Sequence, residues 1–276
     1  MNILVTGASG YIGQDIIKRL IHTEHDLTAC INKTELPFNV KILKFDFSQM
    51  LKITDWFPYL VGIDIVINCV GIIAENRKQS FDVVHSKAPK ALFKACEKKV
   101  KRVIQISALG ADDSAIVSYH KSKKQADDYL RSSRLEWFVL RPSLVYGAGG
   151  KSFSFFQNLS NYPIIPLVGN GAQLVQPVHI GVLIKTIEKC LQSTNINQTI
   201  DVVGKQAISY KNWMVILRQK QSKPKFIMFS MGLMIIISKL LRPFNFQLIS
   251  EDNLIMLQQN NVSDYSPLKL FLENES

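Results

Sequence analysis

Cysteine is scarce, and the four present (Cys30, Cys69, Cys96, Cys190) include no C-x-x-C pair. That spacing indicates neither a zinc site nor a disulfide framework, and a reducing cytoplasm suits such thiols. No histidine and carboxylate spacing suggests a metal. No basic n-region with a cleavable apolar stretch precedes the first strand-like run, so a secretory signal is not expected. The longest apolar run falls short of the roughly 20 residues needed to cross a bilayer. Internal repeats and low-complexity segments are absent. So are recognition-helix, zinc-finger and stacking-aromatic signatures, and no nucleic-acid partner is expected. A formal charge of +11 needs another explanation. The clusters "EKKVKR" (97 to 102) and "HKSKK" (120 to 124) read as solvated helix ends, whereas "RQKQSKPK" (218 to 225) leaves an anionic membrane surface open as a partner.

What is present suits one large α/β domain with a smaller appended region: 276 residues, 47% of them hydrophobic. After the short apolar strand "ILVT" comes "TGASGYIG" (6 to 13), then "YIGQDIIKRLI", whose Ile12, Ile16 and Leu20 recur at helical spacing. Gly7, Gly10 and Gly13 thus stand between a strand and a helix. There glycine lets the backbone approach a pyrophosphate, and the helix N-terminus offers N–H groups and a positive dipole end. Strand-like runs continue at "LTACI" (27 to 31), "KILKF" (41 to 45), "DIVINCV" (64 to 70), "RVIQIS" (102 to 107) and "WFVLR" (137 to 141), with helical stretches between most of them. This alternation predicts an α/β, Rossmann-type doubly wound parallel sheet, with ligand at the carboxyl ends of its strands. The nucleotide-binding domain is expected over 1–182. A small mixed C-terminal substrate or docking region is expected over 183–276, packed on the first and sharing strands or helices with it. Within it "FIMFSMGLMIII" (226 to 237), flanked by Lys223, Lys225, Lys239 and Arg242, reads either as a buried helix or as a helix lying in a membrane interface or against a partner.

Chemistry points to a helix beginning "SYHKSKKQADDYL" (118 to 130), where Tyr119 and Lys123 at i, i+4 share one face. A tyrosine with an ordinary pKa of about 10 is a poor acid–base group at neutral pH, and Lys123 is the cation expected to bring it into range. Ser107, ending the preceding strand, is placed to hydrogen-bond a substrate oxygen as charge develops. After the second strand stand Asn32 and Lys33 rather than a carboxylate. A basic residue there answers a ribose 2′-phosphate, which favours NADP(H) over NAD(H). His179 in "QPVHI" reads as structural before catalytic, and His22 and His25 as surface residues at a helix end.

These residues carry a resemblance to the extended or atypical short-chain dehydrogenase/reductase superfamily, whose members include NAD-dependent epimerase/dehydratase-like proteins. Within it the chain resembles the nucleotide-binding accessory subunit of respiratory complex I and its bacterial relatives. The likeness rests on "TGASGYIG", "FDFS" (45 to 48), "INCVGIIAE" (67 to 75), "FDVVHSKAPKALFKAC" (81 to 96), "VIQISALGAD" (103 to 112), "YHKSK" (119 to 123), "LRPSLVYGAG" (140 to 149) and "VQPVHI" (175 to 180). Weaker likeness runs through 249 to 262. The resemblance implies that Gly7, Gly10 and Gly13, with Ser9, Tyr11 and Ile12, meet the cofactor at the pyrophosphate. It puts Asp46 and Phe47 by the adenine, Val70 and Gly71 along the adenosine, and Pro142 and Val145 at the nicotinamide. Ser107, Tyr119 and Lys123 match the family's catalytic serine, tyrosine and lysine. His85 stands where many extended members carry asparagine, and Gly181 replaces a common acidic residue.

Two functions follow from this. One is an oxidoreductase or epimerase-like enzyme acting on a small carbonyl, hydroxyl or quinone-like ligand through Ser107, Tyr119 and Lys123. The other is a non-catalytic nucleotide-binding structural or assembly factor that docks on a membrane or respiratory complex through 223–242. Either suits a cytoplasmic protein, in the second case peripheral on the cytoplasmic face of a membrane.

Overall fold

The computed structural model describes residues 1–220, 222–241 and 250–273, apart from the side chains of residues 151, 152 and 241. Its first half runs β1 (Asn2–Thr6), α1 (Tyr11–Leu20), β2 (Asp26–Ile31), β3 (Lys41–Lys44), α2 (Ile53–Trp56) and β4 (Ile65–Asn68). It continues with α3 (Ala88–Cys96), β5 (Arg102–Ile106), α4 (Ser118–Ser132) and β6 (Glu136–Pro142). Then follow β7 (Val145–Tyr146), α5 (Lys151–Ser160), β8 (Ile164–Val168), β9 (Leu174–Val175), β10 (Val178–His179) and α6 (Ile180–Gln192). The chain ends with β11 (Gln198–Val202), β12 (Ile208–Ser209), α7 (Tyr210–Leu217), β13 (Lys225–Phe229), α8 (Met231–Leu241), α9 (Glu251–Gln258) and α10 (Ser266–Glu273).

Seven strands form one parallel sheet in the order β11-β6-β5-β4-β1-β2-β3. The order reverses at β1, so the crevice at a doubly wound sheet's switch point opens beside the loop at 7 to 13. Because helices cover both faces, the middles of the inner strands are apolar, and alternate residues there enter two different cores. Ile3, Val5, Ile65, Ile67, Ile104 and Phe138 pack with α1 and α6, whereas Leu4, Val66, Val103, Trp137 and Val139 pack with α2, α3 and α4. A third cluster of Phe156, Ile165, Leu167, Tyr210, Trp213 and Met214 holds together the smaller lobe from α5, α7 and β8.

Residue 182 lies inside α6, and β11 beyond it closes an edge of the main sheet beside β6. The later region therefore contributes to the sheet as well as to the small lobe. A partly buried ion pair fastens the end of α6 to the sheet. Arg102 on β5 pairs with Glu136 at 2.5 Å and donates through Nη1 to the carbonyls of Cys190 and Leu191 at 2.7 and 2.8 Å, satisfying the last turn of α6.

The run 226–237 is neither one helix nor buried. Phe226–Phe229 lies in β13, which pairs in parallel with β8 some 60 residues earlier, a long-range pairing that no local pattern announces. Ser230 then starts α8: its Oγ accepts from the Leu233 amide and its carbonyl from that of Met234. Of the flanking basic residues, Arg242 lies outside the described residues, as does Ile249 at the head of the weaker likeness. No helix among the described residues is long and apolar enough to cross a membrane.

Candidate functional site

The loop after β1 is set by glycine. Gly7 adopts φ 69° and passes so near the chain after β4 that an added Cβ would lie 3.0 Å from the Cys69 carbonyl carbon and the Val70 nitrogen. A Cβ on Gly13 would lie 2.3 Å from the Gly7 carbonyl oxygen, so Gly13 lets α1 sit directly under the loop. Gly10 is the N-cap of α1, which aims the unbonded amides of its first turn and its positive end into the crevice. Gly13 is therefore a packing glycine, while Ser9, Gly10, Tyr11 and Ile12 line the crevice.

Two cavities flank the loop. The smaller, about 130 Å³, is lined by Gly7, Asn32, Asp46, Phe47, Val70 and Gly71. Asp46 is locked there by accepting from the Ser48 amide and hydroxyl at 3.0 and 2.7 Å. Asn32 thus reaches the smaller cavity, but Lys33 is exposed and lines neither. The larger cavity, about 1480 Å³, is shared by Ser9, Gly10, Tyr11, Ile12, Gly71, Ser107, Tyr119, Lys123, Pro142 and Val145. It exceeds the roughly 300–1,000 Å³ of a pocket for one small ligand. With glycines where a Cβ would fill the cradle, these residues fit a dinucleotide and leave room for a second molecule.

The expected triad converges in that cavity, but not with the expected electrostatics. Lys123 is buried, and its Nζ donates to the Ile106 carbonyl at 3.1 Å and stands 5.9 Å from the Tyr119 ring centre. Burial lowers its pKa, opposed by the Asp127 carboxylate. Burial, helped by Asp127, pushes the Tyr119 phenol up to about 12. The expectation that Lys123 draws this phenol toward neutrality is therefore not met: desolvation dominates, and the ammonium is bound to a backbone carbonyl. Ser107 Oγ donates to Asp127, whose carboxyl is buried and raised to about 6. The hydroxyl expected to meet substrate is thus held by a carboxyl behind it.

Asp127 and His85 are the residues of this site whose roles sequence reasoning missed. Asp127 had a signal: Tyr119, Lys123 and Asp127 stand at i, i+4, i+8 on α4. His85 lies in a π-helical turn, Asp82–Lys87, ahead of α3. Its Nε2 accepts from the Ile72 amide at 2.9 Å, which leaves the proton on Nδ1, 3.1 Å from Ser122 Oγ; Ser122 in turn donates to the Tyr119 carbonyl. Burial and Lys123 lower this imidazole to about 2, so it is neutral. The Tyr119 ring packs in T-shaped contact with Phe81 and His85. Farther off, His179 is exposed and caps α6, its Nδ1 accepting from Gly181 at 3.1 Å, so it is structural. Tyr11 Oη, buried beside Gly147, has no hydrogen-bond partner among the described residues.

A doubly wound parallel sheet with a glycine loop and a helix N-terminus at its switch point defines a dinucleotide-binding protein. The family model described as NAD(P)H-binding matches residues 7–156, and the chain belongs to that family. Curated relatives include a ceramide reductase of Caulobacter vibrioides, 21% identical over 184 residues, covering 64% of this chain and 57% of that one. Another is the mitochondrial NADH dehydrogenase (ubiquinone) 1 alpha subcomplex subunit 9 of Mus musculus, 31% identical over 144 residues, covering 51% and 37%. The chain thus spans about half the length, or less, of these relatives. Among solved structures, a nucleoside-diphosphate-sugar epimerase from Staphylococcus aureus matches with a TM-score of 0.78 at 14% identity, over 100% of this chain and 96% of that one. The UDP-glucuronic acid 4-epimerase from Bacillus cereus in complex with UDP-glucuronic acid and NAD gives 0.68 at 19%, over 83% and 86%. At such identities these structures speak for the fold.

Proposed function

We propose that the protein is an NADP(H)-dependent oxidoreductase acting on a carbonyl or hydroxyl group. The observation that carries this reading is that Ser107, Tyr119 and Lys123 line the same cavity as the phosphate loop. A bound dinucleotide supplies or accepts the hydride at the substrate carbon. In the reducing direction Tyr119 gives its phenolic proton to the substrate oxygen, so that carbonyl becomes alcohol. A phenol held at about 12 keeps its proton at neutral pH but gives it up reluctantly, so the acid role needs the Lys123 ammonium to come toward the phenol as the proton leaves. Ser107 hydrogen-bonds the same oxygen, its hydroxyl turned from Asp127 toward the cavity. Lys123 holds the cofactor ribose and, once moved off the Ile106 carbonyl, stabilises the phenolate left behind. The preference for NADP(H) rests on Asn32 and Lys33 standing where a ribose-binding carboxylate would be. Exposed Lys33 supports it only by turning inward.

Calorimetric titration with NADPH and NADH, followed by oxidation of the tighter ligand against ketones, aldehydes and quinones, tests the reading. Tyr119→Phe is expected to lower turnover by about 10²–10⁴-fold with nucleotide affinity unchanged. Survival of turnover in that variant would overturn the assignment of the acid. The likeness to a complex I subunit favours a second reading, a nucleotide-binding structural or assembly factor. Tight binding of NADPH with no oxidation by any carbonyl would select it.

A further inference from the structure

Helix α8 is built inside out. Its serine, Ser238, is buried, while Leu233, Ile236 and Leu240 are 44, 57 and 70% exposed. Spaced i, i+3, i+7, they form one stripe along the helix. Just ahead of them in β13, Ile227 and Met228 are 44 and 60% exposed. Such large side chains on one short segment signal a surface that something covers.

The charge around them says what covers it. From Val202 to Ser250 the chain has eight lysines and arginines and not one aspartate or glutamate, although it holds 22 acidic residues in all. This segment therefore accounts for most of the net charge of +11. Lys223, Lys225 and Lys239 are exposed at its flanks. A protein groove would be expected to pair only some of these charges. A sheet of lipid phosphates over an acyl layer answers both the unrelieved positive charge and the apolar stripe, and an 11-residue helix is long enough to lie in that boundary but not to cross it. We propose that the α8–β13 face binds an anionic bilayer surface, with the apolar stripe entering the headgroup boundary and the lysines meeting lipid phosphates. α8 packs against α9, and α9 lines the large cavity through Asn253, Met256 and Leu257, so the membrane-facing helix lies one helix from the cleft.

This inference does not depend on the chemistry in the cleft. The full chain is floated with vesicles of phosphatidylcholine alone and of phosphatidylcholine mixed with phosphatidylglycerol. Association with the mixed vesicles only, weakened by salt, is the expected result. A lysine near such a surface is worth about five-fold in affinity, so replacing Lys223, Lys225 and Lys239 together with glutamine is expected to weaken binding on the order of a hundred-fold. Ile236→Asp should abolish the remainder, while an unchanged midpoint of chemical denaturation in both variants reports an intact fold. Failure to float with anionic vesicles, equal floating with neutral ones, or indifference to both substitutions would overturn the proposal. A soluble dimer that Ile236→Asp dissociates would also overturn it, assigning the face to a second copy of the chain.

Discussion

The central sheet and helix α8 are about equally rich in aliphatic side chains and treat them in opposite ways. In the sheet, Leu4, Val66 and Val103 enter one core while Ile3, Ile67 and Ile104 enter the other, because helices lie on both sides. In α8, a helix of the same chemistry turns Leu233, Ile236 and Leu240 to solvent. Hydrophobicity predicts burial only where the fold supplies something to bury against; elsewhere it marks an interface.

The sharpest test of that contrast is a pair of truncations. Phe93→Ala removes a fully buried ring between α3 and the sheet and is expected to cost about 3–5 kcal/mol in chemical denaturation. A cost below about 1 kcal/mol would mean that the core is less tightly packed than its burial indicates. Between the extremes lies the polar interior behind the cleft, where two groups act on stability with opposite signs. Asp127 titrates at about 6 when folded against an ordinary 3.8, so the native state holds its proton longer and loses about 3 kcal/mol as pH rises from 4 to 6. His85, lowered to about 2, acts the other way: the unfolded chain gains its proton below about 6.5, and stability falls as pH drops. Over pH 4 to 6 the two slopes oppose each other. Asp127→Asn should unmask the histidine, giving stability that falls on acidification by about 1.4 kcal/mol per pH unit relative to the parent. Parallel pH profiles for parent and variant would refute the balance. The smallest effect is expected at α8, where Ile236→Ser should change stability by less than about 0.5 kcal/mol. A larger loss would place that side chain in a core.

The sheet and the phosphate loop were legible because strand and helix periods alternate around three glycines whose spacing serves a backbone turn and a helix packed beneath it. Tyr119 and Lys123 were legible as a spacing on α4, and Ser107 by its place at the end of β5. The electrostatics of the three were not, because they depend on how deeply Tyr119 is buried and on where Lys123 sends its ammonium. His85 stood out only through the resemblance, and its contacts, an amide at Ile72 and a hydroxyl on another helix, lie outside its own segment. The run 226–237 misled because a stretch so nearly all apolar has no period of its own, and its division at Ser230 is decided by the pairing of β13 with β8.

Across the buried carboxyl ends of three strands, Thr6 Oγ1 donates to Asn68 Oδ1 at 2.6 Å, and Asn68 Nδ2 donates to Gln105 Oε1 at 2.7 Å. The aliphatic middles of these parallel strands would by themselves be nearly indifferent to sliding, since each shifted neighbour there is as greasy as the last. A slip of β1, β4 or β5 would strand these polar groups in a dry interior, at about 1–3 kcal/mol for each group left unpaired. The polar thread thus works as an alignment mark. It favours the one registration in which the loop after β1, the chain after β4 and Ser107 after β5 all open into the same crevice.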